Sequence, residues 1–546
     1  MRLERLINNT EPAKIYMILA LLATLLFVPF LNVSPLFDWD ENNFAEAARE
    51  MVVSGDYLRV QINFEPFYEK PPLFFWLQAL FMHIFGVNEF AARLPNAICG
   101  IFTVLTLFHI GRKLYDNFFG LIWVVAYVGS FLPHFYFKSG IIDPVFNLFI
   151  FLGLYYFIRN SLEDNDDRNR SRNVIISGVF LGLAILTKGP VGLLIVALCV
   201  TVFLALKRFR LFFSWKELGI WMGVTVAVSF LWFGIDLLVN GPEMLRAFTM
   251  RQWELLTTGD AGHGQPFYYH FIVILIGCFP ASVFMIKGHK KLAADTLPQN
   301  RFRKWMIILF WVVLILFSLV KTKIMHYSSM TYIPLTFLAA HFLYHLRYDE
   351  IRWNRIFTAG LGIFGFIFSA VFILLPLFGK NPDKIVMMID DPFAVANLDA
   401  EVYWSGLEVI IGIIYLIITV TGLIYIVYHN YFKGAIAYFA ATIIAIQLLM
   451  PFVVPKIERI VQGSAIDFYK TMRTRDGDIQ VLGFKSYGYL FYSRSEEKMD
   501  LEQMLSGESG EPAYFVGKIT NADEYIKRYN LQKIGEANGY VFMMKK

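Results

Sequence analysis

Cysteine is nearly absent: the chain has three, Cys99, Cys199 and Cys278, in 546 residues. Each lies inside an apolar run, with neither C-x-x-C spacing nor a polar partner nearby. A disulfide framework and a thiolate metal centre are therefore not expected, and the thiols read as small buried hydrophobes. Charge is thin as well, at 17% Asp, Glu, Lys and Arg, against about 25% in an ordinary soluble domain. No strand-to-helix turn carries a nucleotide-binding glycine fingerprint, so neither a Rossmann loop nor a P-loop is expected to grip a nucleotide donor. A small-residue cleavage site is also missing after the first apolar stretch. The segment MRLERLINNTEPAKIYMILALLATLLFVPFL thus reads as a basic lead into a retained first helix and not as a removed signal peptide.

What fills the chain is grease. Hydrophobic residues make up 57% and aromatics 17%, and mean hydropathy is +0.51. That composition implies a polytopic α-helical membrane protein. Apolar stretches long enough to span number about thirteen. They fall near residues 14–33, 91–110, 118–137, 140–158, 173–187, 189–206, 217–239, 267–287, 304–321, 324–345, 356–378, 404–428 and 432–452.

Alternate connections are basic: Arg112-Lys113, Arg168 to Arg172, Lys207 to Lys216, Lys287 to Lys304 and Arg347 to Arg355. The positive-inside rule places these loops, and the N-terminus, in the cytoplasm. An odd number of spans then puts the tail outside. From Lys456 the composition turns soluble, with strand-like DIQVLGF and EPAYFVGK, a helical NADEYIKRY and a closing YVFMMKK. The expected organisation is a membrane unit over 1–455, with an outer loop at 34–89, and a small periplasmic α/β domain over 456–546.

Within that outer loop lies a polar island, Ser34 to Asn88, holding Asp40-Glu41 and then Glu69-Lys70-Pro71-Pro72. Other unusual polar residues fall at outward ends too: Lys138, Asp143, Lys188, Arg246, Arg251, His263, Lys321, Lys323, His326 and Tyr327. Charges at the edge of a hydrocarbon layer are costly unless paired or solvated, and one shared outward cavity accounts for them economically. Each has a plainer reading beside it. Asp40 could cap the helix begun by FAEAAREMV, and Asp143, before Pro144, could cap the next span. Glu69 and Lys70 could be a solvated pair ahead of a diproline that bends the chain into an interfacial LFFWLQALFMHIF. Lys188, in a tight Gly189-Pro190 turn, could snorkel, and His263 could be an ordinary loop histidine.

Taken together, these types suit chemistry on an anionic lipid. Lysines neutralise phosphate, while a neighbouring carboxylate orients a nucleophile or accepts its proton. If the substrate is a sugar on a lipid phosphate, the leaving group is that phosphate, and Lys70 and Lys188 could stabilise its growing charge.

The order Asp40-Glu41 into AEAAREM, then SGDYLRVQINFEPFYEKPPLFFWL, then RLPNA at 93–97 resembles the bacterial members of the dolichyl-phosphate-mannose-protein mannosyltransferase superfamily. Within it, the likeness is to the aminoarabinose transferases of lipid A. It is specific through residues 38–190 and looser through 260–335. The resemblance implies a GT-C type fold, an extracytoplasmic site, a polyprenyl-phosphate-linked sugar donor and inversion at the anomeric carbon. It implies a catalytic role for Asp40, with Glu41 beside it, and for Asp143 in the same cavity. Lys70 and Lys188 match phosphate-contacting lysines, Tyr327 a cavity hydroxyl beside His326, and Glu69 with His263 the place where those transferases hold a metal ion. Those enzymes have arginine three residues after the acid, where this chain has Asn43. An amide does not replace a guanidinium at an anion, so the resemblance fixes the superfamily and not the sugar.

The expected protein is therefore an inner-membrane glycosyltransferase with a lipid, protein or glycan acceptor, membrane lipids around it and no nucleic-acid partner. No cofactor is required, although a divalent metal ion at Glu69 and His263 stands as an option, with Asp260 or His270 as a further ligand. A transporter or flippase of lipid-linked sugars is the rival, but neither an internal repeat nor a midplane charge favours it. A third reading, a scaffold whose tail recruits partners, would need no carboxylate in the cavity.

Overall fold

The computed structural model describes residues 2–162, 167–257, 264–475, 477–507 and 512–545. Helices dominate because in hydrocarbon each backbone N–H and C=O must be satisfied within its own segment. Among the described residues, eight helices are long and apolar enough to cross a membrane, or ten if two bent pairs each count as one span. The bent pairs are Asn117–Val128 with Phe131–Lys138, at 86°, and Tyr269–Gly277 with Ala281–Gly288, at 108°. Their elbows meet, Phe131 N donating to Phe279 O at 3.3 Å, next to Pro280, which has no N–H to carry a helix on.

Three of the expected stretches are shorter helices, Pro12–Phe27, Val191–Leu206 and Tyr332–Arg347. Sixteen residues each, they are about 24 Å long against a hydrocarbon layer of about 30 Å. Outer faces are bare grease: Ile363, Phe366, Val371 and Leu374 on Arg355–Lys380, and Ile417, Val420 and Ile424 on Val409–Val427, are all exposed. Such a belt requires lipid around it. Interior contacts are close, as at Gly288, where a Cβ would meet Leu338 O at 2.0 Å, so only glycine lets Ala281–Gly288 lie against Tyr332–Arg347.

The island folds as helix Asp40–Ser54, a two-residue hairpin of Gln61–Ile62 with Glu65–Pro66, and helix Leu73–Phe85. Gly55, at φ 72°, ends the first helix in the left-handed region. Leu73–Phe85 turns Phe74 and Phe75 onto Phe44 and leaves Leu80 and Ile84 outside. Although FAEAAREM carries three charges, its helix is buried on nearly every side. Arg49 resolves part of this by forking onto Glu46 at 2.6 and 2.7 Å. Glu50 accepts from the Asn63 and Phe64 amides at 2.6 and 2.8 Å.

The helix Tyr431–Phe452 leads into Val454–Thr471 and then a four-stranded sheet in the order Asp478–Leu482, Ala513–Lys518, Tyr540–Lys545, Gln532–Ala537. The first pair is parallel and the other two are antiparallel. The fourth strand is not announced by the sequence, because QKIGEA is a polar, mostly exposed edge with a register shift between Lys533 and Gly535. This tail sits on the island: Tyr492 OH accepts from Leu36 N at 2.8 Å, Ser486 Oγ donates to Asp38 Oδ1 at 3.0 Å, and Asn63 and Met499 exchange bonds at 2.8 and 2.9 Å.

Candidate active site

The RLPNA segment lies near the start of helix Glu89–Leu114, whose N-cap Asn88 accepts from Ala91 N. Arg93 is fully buried. Its guanidinium donates to Leu31 O at 2.8 Å, to Ser34 O at 3.0 Å, to Pro35 O at 2.7 Å and to Glu41 Oε2 at 2.7 Å. One turn on, Asn96 Nδ2 donates to Ser139 O and Ile141 O, each at 2.6 Å. One helix therefore pins the loop ahead of Asp40 and the loop ahead of Asp143.

Glu41 ties these loops together. Its carboxylate accepts from Phe37 N at 2.7 Å, from Arg93 and from Gly140 N. Asp40, one residue earlier, faces the cavity instead. It is the first residue of the helix, with Trp39 in the N-cap, so the capping reading fails. Its Oδ2 lies 3.3 Å from His326 Nε2, which is 3.8 Å from Asp143 Oδ2. Asp143 is buried at the start of Asp143–Leu162; Lys188 Nζ donates to its Oδ1 at 2.6 Å, and its Oδ2 has no hydrogen-bond partner. Lys188 Nζ also stands over the Tyr327 ring, 5.2 Å from its centroid.

A cavity of about 930 Å³ opens above this cluster, lined by Asp40, Asn43, Glu69, Lys70, Lys188, Arg251, His326 and Tyr327 on the membrane side and by Gln480, Lys485, Ser486 and Tyr487 from the tail. Burial in the cavity pushes the Lys70 ammonium below its ordinary pKa, and the neighbouring Lys188 charge adds to the shift, while Glu69, Asp40 and Asp143 oppose it. A crowded set of cations beside carboxylates can hold a phosphate and move a proton within reach of it.

The family model for dolichyl-phosphate-mannose-protein mannosyltransferase matches residues 69–233. A relative named undecaprenyl phosphate-alpha-4-amino-4-deoxy-L-arabinose arabinosyl transferase, from Edwardsiella ictaluri, is 24% identical over 379 residues, which is 66% of this chain and 67% of the relative. One of the same name from Wigglesworthia glossinidia brevipalpis is 24% identical, covering 57% of this chain and 55% of its own length. The crystal structure of ArnT from Cupriavidus metallidurans bound to undecaprenyl phosphate superposes with a TM-score of 0.79 at 17% identity, over 97% of each chain. The chain is a GT-C type membrane glycosyltransferase resembling the aminoarabinose transferases. An Archaeoglobus fulgidus oligosaccharyltransferase, at 12% identity and a TM-score of 0.51 over 93% of this chain and 69% of the other, shares the architecture alone.

In this glycosyltransferase Asp40, Lys70, Lys188, His326 and Tyr327 line one cavity, as expected from sequence. Asp143, expected in the same cavity, lies behind the lining, bonded to Lys188 and 3.8 Å from His326. Glu41 stands apart: it is spent on Arg93 and backbone amides and is absent from the cavity lining. Asn43 reaches the lining, but with its amide oriented to suit its neighbours it pairs with Trp39, donating to O at 3.1 Å and accepting from Nε1 at 2.8 Å. Glu69 binds Arg251 at 2.7 and 2.9 Å, a cation of the protein occupying the carboxylate expected to face a metal. His263 and Asp260 lie outside the described residues. His270 is buried, with Nδ1 3.1 Å from Ser328 Oγ. Lys138 is also withdrawn, donating to Pro29 O at 3.0 Å. Sequence reasoning placed Arg251 at the outer face without its partner, and it missed Ser486 and Tyr487 altogether.

Proposed function

We propose that the protein is an inverting glycosyltransferase that takes a sugar from a polyprenyl-phosphate donor and delivers it to a lipid, protein or glycan acceptor at the outer face of the bacterial inner membrane. The observation that carries this reading is the cavity in which the Asp40 carboxylate, 3.3 Å from His326, shares one space with Lys70, Lys188 and Arg251. The donor phosphate rests among the cations. The acceptor oxygen attacks the anomeric carbon from the opposite face, the bond from that carbon to the phosphate oxygen breaks, and its electron pair leaves with the phosphate. Asp40 takes the acceptor proton, or positions an acceptor that is already anionic. Lys70 and Lys188 stabilise the charge that grows on the leaving phosphate. Asp143 positions Lys188 and borders His326. As written, this step uses no cofactor.

In this reading residues 1–455 form the membrane-embedded catalytic unit, and 456–546 form a periplasmic domain that roofs the cavity. A cytoplasmic N-terminus is supported by the basic ends Arg112-Lys113 and Arg347, which lie at the helix ends away from Arg93 and His326. Incubating purified protein in vesicles with radiolabelled polyprenyl-phosphate sugars and lipid A, protein or glycan acceptors should move label to one acceptor class with an inverted anomeric centre. Label that crosses the bilayer still on its carrier would make the protein a transporter. Retention of configuration, or wild-type transfer by Asp40→Asn, would end the mechanism.

A further inference from the structure

Helix Tyr332–Arg347 starts beside the cavity, and about 15–20 Å along it a second polar cluster is buried. His341 and His345, four residues apart and so on one face, converge on Asp295 from the link before Leu297–Leu319. His341 Nε2 is 3.0 Å from Asp295 Oδ2, and His345 Nε2 is 3.0 Å from Oδ1. The three side chains are 0%, 4% and 0% exposed, and one ligand atom from each lies within 4.8 Å of the others. Among the described residues Asp295 has no lysine or arginine ion pair. Nearby Arg303 is engaged with His289 O and Asn300 Oδ1.

We propose that Asp295, His341 and His345 bind a divalent transition-metal ion of the zinc type. Two imidazoles and a carboxylate are zinc ligands in both type and number, with water free to take the fourth position. The outer contacts fit too: His345 Nδ1 meets Glu350 Oε2, and Tyr115 OH donates to Asp295 Oδ1 at 3.0 Å. A carboxylate on the far nitrogen is the support that metal-bound histidines use to fix their tautomer. Despite its closeness to Asp295, buried His345 Nε2 has no partner of hydrogen-bond geometry. A cation held between that nitrogen and the Asp295 carboxylate would satisfy both. The His341 ring is 4.5 Å from the His345 ring, which disfavours charging both. The ion would tie the 289–296 link to the Tyr115 turn and to helix Tyr332–Arg347, a structural role remote from sugar transfer.

The test uses full-length protein purified without a metal-affinity tag. Wild type stripped by a chelator should take up about one equivalent of Zn²⁺, with a rise in Tm that His345→Gln and His341→Gln lack. Co²⁺ in its place should give the absorption of a tetrahedral site. Should the variants fail to fold, the Co²⁺ spectrum of Glu69→Gln protein decides, since tetrahedral bands should still appear at about one equivalent. Uptake no greater than that of His341→Gln or His345→Gln, or zinc lost on Glu69→Gln but kept by His345→Gln, overturns the proposal. Absence of those bands would mean a His–Asp hydrogen-bonded cluster only, and would overturn it as well.

Discussion

Arg93 and Glu41 form a buried ion pair, Nη2 to Oε2 at 2.7 Å, at the junction of the loops that carry Asp40 and Asp143. Glu41→Gln leaves the guanidinium charge in place and removes its partner, and breaking a buried pair from one side costs about 3–5 kcal/mol. Thermal unfolding in detergent should show a large loss of stability, with transfer falling in parallel as the two loops loosen. Arg93→Lys should fail similarly, because an ammonium cannot fork to Glu41 while bridging three carbonyls. A Glu41→Gln protein of normal Tm and no transfer would make Glu41 a participant in the chemistry instead.

Asp40→Asn should give the opposite pattern. The side chain is partly exposed in the cavity and is not the N-cap of its helix, a place taken by Trp39, so Tm should stay near that of wild type. Transfer should fall by about 10²–10⁴, the usual contribution of a positioned base. Single-turnover transfer from a labelled polyprenyl-phosphate sugar separates this loss from weak donor binding. Unchanged donor Kd with a slower chemical step is the expected result.

The spans and the polar island are legible in the sequence for one reason: polar residues are conspicuous in an apolar chain, and hydropathy has a long, local signature. Asp40 and Glu41 show where that reading stops. Neighbours on a helix point about 100° apart, and nothing local says that the first faces the cavity and the second faces Arg93, 52 residues away. Arg251 meets Glu69 across 182 residues, and Ser486 reaches Asp38 across 448. Contacts of that range are set by how the helices pack, which leaves no pattern in any window of sequence. The strand Gln532–Ala537 was hidden differently, by an edge position that needs no apolar alternation.

Glu50 supplies a pH dependence of stability. Burial, reinforced by the adjacent Glu46 charge, lifts its pKa from 4.5 to about 9. A carboxyl whose folded pKa lies above its unfolded value binds its proton more tightly when folded. Its contribution is therefore complete below 4.5 and is lost as pH rises through 9. Wild-type Tm in detergent should decline across that window. Glu50→Gln keeps an acceptor for the Asn63 or Phe64 amide and carries no charge, so its decline should be shallower. Identical slopes for the two proteins would remove Glu50 from the account.

Lys70 supplies one of activity. Its pKa is lowered by burial and by Lys188, so the charge that the donor phosphate needs is lost at a pH below the ordinary lysine value of about 10.4. Transfer should fall on the alkaline side earlier than an exposed lysine would allow, chiefly through a rising donor KM. Lys70→Arg stays charged throughout this range. It should move the alkaline limb upward even if its wider head lowers the rate at neutral pH, whereas Lys70→Ala should abolish the limb together with most of the activity. A limb that stays in place in Lys70→Arg would assign the titration to another group.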